Sequence, residues 1–360
     1  MERQVGFDYL KVFLTFLVVI HHVVMVYGGA AGWYWREVEV PSLGLIAFNT
    51  VNQSFFMGLF FMLSGYFVRA SLEGKSVAKF IRTRVVRLGI PLLVYFFVVS
   101  PFTVALAHPE AGGVVWQRMF RFMVEYRFEP GPLWFLLALL LFSCVYALVF
   151  TLCPAMLRPM QRRPRIFVTL AAMCVMGLFT YVVRLIFPVG EKWMWLQLGY
   201  FPMYILLFWW GAQAYSQRLL SEWRRPFVIF CGCSVLLLVM GMVWVMMHPV
   251  GHGPFEGGEN YNALFYALWE PFVAGGIIVV LLYVFSRHIS SPSRVGDVLA
   301  RSAYGVFVIH PPIVVAMSMY LFRFDVPTWS KVVLNSSISL ALCVLLACVL
   351  LKLPRVSKVL

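Results

Sequence analysis

Apolar runs long enough to cross a bilayer, about 17–25 residues each, recur from one end of this sequence to the other. That recurrence leaves little choice of fold. Lipid offers no partner to a backbone N–H or C=O, so a segment crossing it satisfies its own backbone, as a helix does. About ten runs stand out, at residues 8–28, 44–68, 88–107, 132–152, 166–187, 195–216, 227–247, 262–285, 303–322 and 331–351. No stretch between them is large enough for a separate soluble domain. The expectation is one all-α, polytopic membrane domain over residues 1–360. The first run, with basic residues before it and "GGAAG" after it, has some look of a signal peptide. Its length and its paired histidines argue for a retained span.

A formal net charge of +14 raises the question of nucleic acid, and the placement of the charges answers it. With ten spans, alternate loops form two sets. One set holds Arg3; Arg69, Lys75, Lys79, Arg82, Arg84 and Arg87; Arg158, Arg162, Arg163 and Arg165; Arg218, Arg224 and Arg225; Arg287, Arg294 and Arg301; and Lys352, Arg355 and Lys358. The other holds far fewer, among them Arg36, Arg118, Arg127 and Lys192, against acids such as Glu37, Glu39, Glu110 and Glu256. Such a bias marks the cytoplasmic side. Both termini are therefore expected in the cytoplasm, the protein is expected in the inner membrane with lipid as its surroundings, and nucleic acid is not an expected partner. The cysteines include no CxxC pair and read as small buried hydrophobes, so no metal site is expected. His248 and His252 are four apart, but Pro249, Gly251 and Gly253 argue against a metal-binding helix there. Tryptophans near span ends, Trp33 and Trp35 among them, read mostly as an interfacial belt.

Ionisable groups inside spans carry the functional signal, because such groups normally face protein or a water-filled cavity. In the first run, Lys11 and His22 are eleven residues apart, about three helical turns and roughly 16 Å along the axis. Asp8 lies one turn before Lys11 on the same face, whereas His21 points roughly 80° away. Histidine suits proton exchange at neutral pH, so His22 is the candidate base; an interior histidine satisfied by a neighbour is the alternative. For Asp8 and Lys11 a surface ion pair and a site stand side by side. Glu270, in "ALWEPFV", needs a histidine, an arginine or a ligand to answer its charge. His310, in "YGVFVIHPPIV", precedes two prolines that free backbone carbonyls, and is open between a site and a kink. Arg184 reads as a snorkelling residue near a span end. Ser64, with Gly65 in "FFMLSGYF", reads as a close helix contact or as a nucleophile with no base fixed beside it in sequence. Lys79, Arg82, Arg84 and Arg87 in "KFIRTRVVRLGIP" suit either plain topology or a mouth for a phosphate-bearing ligand. These features fit an enzyme and a proton-coupled transporter of a small or glycosidic solute equally.

Taken in order, the Asp8, Lys11 and His22 spacing, "FFMLSGYF", the basic run ending "RLGIP", "PLWFLLALLL" and "YGVFVIH" resemble the acyltransferase family 3 of polytopic membrane enzymes. "QLGYFPMYILLFWWG" with "ALWEPFV" is most similar to the subgroup that succinylates periplasmic glucans. The resemblance implies transfer of an acyl group, acetyl or succinyl, from cytoplasmic acyl-coenzyme A to a hydroxyl of an extracytoplasmic glycan, with acyl-coenzyme A as donor substrate and no permanently bound cofactor. It implies His22 as the catalytic histidine, with Asp8 or Glu270 tuning it and His310 orienting it, and Lys11, Ser64, Arg82, Arg84 and Arg87 on the donor. One departure is clear. The family usually has arginine where this chain has Lys11, which removes a forked contact and leaves a point charge. Direct transfer is expected in preference to an ester on Ser64, and no fused esterase-like domain is expected in these residues.

Overall fold

The computed structural model describes residues 4–30, 32–37, 41–125, 128–157, 165–215, 223–249, 251–289, 291–357 and 359. Arg3, Glu39, Arg127, Arg158, Arg162, Arg163, Arg218 and Lys358 lie outside the described residues, as does Ser216 at the end of the sixth run. The described chain is helical: α1 (Val5–Val26), α2 (Leu43–Glu73), α3 (Val77–Ala107), α4 (Val115–Val124), α5 (Trp134–Leu152), α6 (Ile166–Ile186), α7 (Phe201–Ala214), α8 (Arg225–Met247), α9 (Tyr261–Arg287), α10 (Arg294–Leu321) and α11 (Thr328–Leu350).

Among the described residues, 9 helices are long and apolar enough to cross a membrane. The difference from ten lies in α7. It follows a tight turn at Leu198–Tyr200, takes Pro202 in its first turn and runs 14 residues, about 21 Å against a hydrocarbon core of about 30 Å. α4 is a short helix with Trp116 and Phe120 exposed and Arg118, Met119 and Phe122 buried. It joins α3 to α5.

Where prolines interrupt a span, the backbone shows the consequence. A proline cannot donate to the carbonyl four residues before it, and its ring crowds that carbonyl. In α3 the helix widens into π-turns at Val85–Gly89 and Tyr95–Val99, each ending two residues before a proline, Pro91 and Pro101. The Arg87 carbonyl, four before Pro91, accepts instead from the Tyr304 hydroxyl at 2.5 Å.

The chain divides into two compact units. One comprises Met1–Leu10, Val51–Ile81 and Leu141–Ser291; the other comprises Lys11–Thr50, Arg82–Leu140 and Pro292–Leu360. In the first unit α6 and α8 pack on α9, and glycines set the closest approaches. A Cβ on Gly65 of α2 would lie 2.0 Å from the Phe208 carbonyl oxygen, and one on Gly211 of α7 would lie 1.9 Å from that of Met62. Small residues at helix contacts are how membrane helices gain packing when burial from water cannot drive them together. Ser64 is half-buried beside this contact, as the "SG" reading expected for close helix approach.

In the second unit α10 packs along α11 and against α3. Val19, Val23, Val26 and Tyr27 of the α1 end, Leu45 of α2, Val306 and Val314 of α10, and Val332 and Cys343 of α11 form its core. A polar network runs through it. Asn335 donates to Tyr27 Oη at 3.1 Å and to Ser318 Oγ at 2.8 Å, while Ser339 Oγ donates to Asn335 Oδ1 at 2.8 Å. Buried polar groups away from water need such partners.

Candidate active site

The site is built in the second unit from α1 and α10. α1 is a helix without an interior proline or glycine beyond Gly6. It carries His21 and His22 on diverging directions, as the 100° turn requires. His21 is buried on the Asn49 side of α1, with Nε2 3.5 Å from Asn49 Nδ2. His22 is half-buried and meets His310 of α10, with Nδ1 3.1 Å from His310 Nε2 and the two rings 21° apart.

The proton positions in this pair follow from Pro311. Lacking an N–H, it leaves the Phe307 carbonyl without its helical donor. His310 takes that vacancy in the ladder: its Nδ1 lies 2.8 Å from Phe307 O. A carbonyl only accepts, so Nδ1 of His310 carries the proton, and in a neutral ring Nε2 is then the acceptor. His22 Nδ1 must therefore donate to it, which puts the remaining lone pair of His22 on Nε2. The sequence "HPP" thus sets one tautomer and, through it, a second. What results is an imidazole oriented by a hydrogen bond at one nitrogen and able to take a proton at the other, the arrangement used in general-base catalysis.

Trp33, from the loop between α1 and α2, lies over this pair. Its ring stacks on His22 with centroids 4.1 Å apart and 23° between planes. Sequence reading placed Trp33 in the interfacial belt. Nothing in the local pattern separates a tryptophan that folds back onto its own helix from one that faces headgroups.

Arg82, Arg84 and Arg87 share the first turns of α3; Arg82 and Arg87 are exposed and Arg84 is half-buried. Tyr304 ties this stretch to α10 through the Arg87 carbonyl. The same helix carries His310 six residues on, about 9 Å along the axis. Lys11 is half-buried near the start of α1, three turns before His22 on the same helix.

Asp8, Ser64 and Glu270 belong to the first unit. Asp8 is half-buried in the opening turns of α1. The residue that answers Glu270 is Arg184: Nη2 donates to Oε2 at 2.5 Å, with the side chains 0% and 6% exposed. Arg184 Nε also donates to Gly199 O at 3.1 Å, and its guanidinium lies 5.0 Å from the Tyr200 ring centroid and 4.9 Å from that of Tyr266. The snorkelling expected of Arg184 is therefore not what the structure has. A guanidinium in an apolar span keeps its charge, and a carboxylate on the next packed helix lowers that cost more than a reach toward water would. Among the described residues no group of three or more His, Cys, Asp or Glu side chains could hold a metal ion.

The sequence matches a known family. A family model described as an acyltransferase domain, acyltransferase 3, matches residues 4–348. Among curated proteins, Glucans biosynthesis protein C of Escherichia coli O6:K15:H31 (strain 536 / UPEC) is 29% identical over 153 residues, which is 42% of this chain and 38% of that protein. The protein of the same name from Escherichia coli O1:K1 / APEC is 34% identical over 92 residues, 26% of this chain and 23% of that protein. The chain thus aligns with well under half the length of these relatives. No solved structure matches. With a model match over nearly its whole length, and the ordered motifs and membrane helices that go with it, the chain belongs to the acyltransferase 3 family.

Proposed function

We propose that the protein is a membrane O-acyltransferase that moves an acyl group from acyl-coenzyme A to a hydroxyl of a glycan, with His22 as general base. The observation that carries this reading is the hydrogen-bonded series from the Phe307 carbonyl through His310 to His22, which leaves His22 Nε2 ready to accept a proton. In the proposed step Nε2 takes the acceptor hydroxyl proton while the hydroxyl oxygen bonds to the thioester carbon. The carbon–sulfur bond then breaks, and His22 returns the proton to the departing thiolate. Atoms balance with no cofactor and no acyl-enzyme.

The donor reading rests on charge. Coenzyme A carries phosphates on a long thin arm, and Arg82, Arg84 and Arg87 at the start of α3, with Lys11 on α1, supply cations of the kind phosphates need. α10 links the α3 stretch to the histidines. The relatives' name, Glucans biosynthesis protein C, favours a glucan as acceptor, delivered from the opposite side of an inner membrane.

The test is coenzyme A release by purified protein in proteoliposomes, with a panel of acyl-coenzyme A donors and glucan acceptors, for wild type and His22→Ala. Acceptor-dependent thioester turnover that vanishes in folded His22→Ala supports the reading, and the preferred donor names the acyl group. Full turnover in His22→Ala removes His22 from the chemistry. No turnover with any donor removes the acyltransfer itself and leaves proton-coupled transport as the reading.

A further inference from the structure

A buried hydrogen-bond donor lies beside the histidine pair with no acceptor for it among the described residues. The Trp33 Nε1–H is buried and has no hydrogen-bond acceptor among the described residues. An indole nitrogen only donates, and a buried donor left unmade is costly. Its ring is stacked on His22 and lies within 6.3 Å of His310, nearly parallel to both, at 23° and 15°.

The placement is built by the surrounding chain. The loop after α1 is fastened at its start by Gly29 N donating to Val24 O at 3.0 Å and by Arg36 Nη2 donating to Gly29 O at 3.3 Å. It is fastened at its far end by Glu37 N donating to Val26 O at 3.0 Å and by a Lys331–Glu37 ion pair at 2.5 Å. Between these, the Tyr34 hydroxyl meets the Tyr95 hydroxyl at 3.0 Å and Trp35 packs edge-on against Phe322. Trp33 sits between backbone ties at Gly29 and Glu37, next to Tyr34 and Trp35, which each contact another segment, so the chain on either side of the Trp33–His22 stack is anchored.

We propose that Trp33 donates its indole N–H to the thioester carbonyl oxygen as negative charge develops on it, in the same step for which His22 is the base. This deepens the function proposed above and rests on it. Attack of a hydroxyl on a thioester turns the carbonyl oxygen into an oxyanion, and a preorganised donor aimed at that oxygen is among the largest contributions an acyl-transfer site makes. The chemistry therefore calls for a donor within a few ångströms of the base. Stacking puts the indole one ring thickness from the imidazole, and the histidine pair offers no other proton for the purpose, since His22 Nδ1 and His310 Nδ1 are both committed.

The experiment compares steady-state coenzyme A release by the full chain, wild type, Trp33→Phe and His22→Ala, with thermal unfolding measured on each. Phenylalanine keeps an aromatic ring against His22 and removes the N–H. The expected result is a fall in kcat of about 10²-fold, the size seen for loss of one oxyanion donor, with KM for donor and acceptor within about twofold of wild type. Should the phenylalanine variant unfold, 3-benzothienylalanine at position 33, which keeps the bicyclic shape without the N–H, gives the same readout. Wild-type kcat in either variant while His22→Ala is inactive overturns the role of Trp33 and leaves the base reading standing. A loss confined to the acceptor KM also overturns it, because a sugar-stacking platform acts on binding alone. Full turnover in His22→Ala overturns the base reading itself.

Discussion

The Arg184–Glu270 pair gives a prediction that separates holding the fold from doing chemistry. The two charged groups meet at 2.5 Å with side chains 0% and 6% exposed, so neither has water to fall back on. Removing one partner of such a pair leaves an uncompensated charge and costs about 3–5 kcal/mol, whereas replacing both by apolar groups of similar volume is often close to neutral. Arg184→Met also gives up the stacking on Tyr200 and Tyr266, worth up to about 2 kcal/mol when desolvated, and frees the Gly199 carbonyl. The double variant Arg184→Met/Glu270→Met is thus expected to cost less than the sum of the two single variants by at least about 3 kcal/mol. In a unit of about 150–250 residues each kcal/mol moves Tm by about 2–4 °C, so each single variant is expected to unfold roughly 6–20 °C below wild type and the double variant well above either. Thermal unfolding in one detergent, read by tryptophan fluorescence for all four proteins, completes the cycle. Additive losses, with a coupling below about 1 kcal/mol, would refute the reasoning, and Glu270 would then need another partner to explain its burial. Recovery of turnover together with Tm in the double variant would assign the pair to the fold; recovery of Tm alone would assign Glu270 to the reaction.

Pro311→Ala restores an N–H aimed at the Phe307 carbonyl that His310 now uses; the expected outcome is a kcat lower by about 10-fold with little change in Tm, and unchanged kcat would sink the tautomer argument. His310→Ala removes the acceptor for His22 Nδ1 and is expected to lower kcat by about 10²-fold, within the range for losing support of a general base, while donor binding measured by calorimetry stays intact. Gly65→Val drives a side chain into the Phe208 carbonyl, 2.0 Å from the Cβ position, and is expected to cost about 3 kcal/mol or more, seen as loss of folded protein in size-exclusion chromatography; a monodisperse, wild-type profile would contradict the close contact of α2 with α7. Lys331→Met leaves the half-buried Glu37 carboxylate without its cation and is expected to lower Tm by several degrees and to loosen the segment that carries Trp33, read as an increase in proteolysis between residues 32 and 37.

The sequence by itself determined that the chain is helical and polytopic, because only helices satisfy a backbone in lipid and the apolar runs are long enough to be nothing else. It also carried the family, through ordered motifs, and the freed backbone carbonyls before Pro311 and Pro312, since a proline removes a helical donor wherever the helix is placed; that His310 itself bonds the Phe307 carbonyl came from the structure. The "SG" pair on α2 was legible as a packing contact for the same local reason. What only the tertiary structure decided is which polar groups meet. Glu270 could have been answered by a histidine, an arginine or a ligand; it is answered by Arg184, 86 residues away, and His22 by His310, 288 residues away. The fold of Trp33 back onto His22 and the shortness of α7 were equally invisible. The reason is physical. In a soluble helix the apolar stripe tells which face turns inward, but in a membrane lipid and protein interior are both apolar, so hydropathy fixes the helix and is silent about its neighbours. Partners are then chosen by the shapes and hydrogen bonds of distant segments, which no local pattern records.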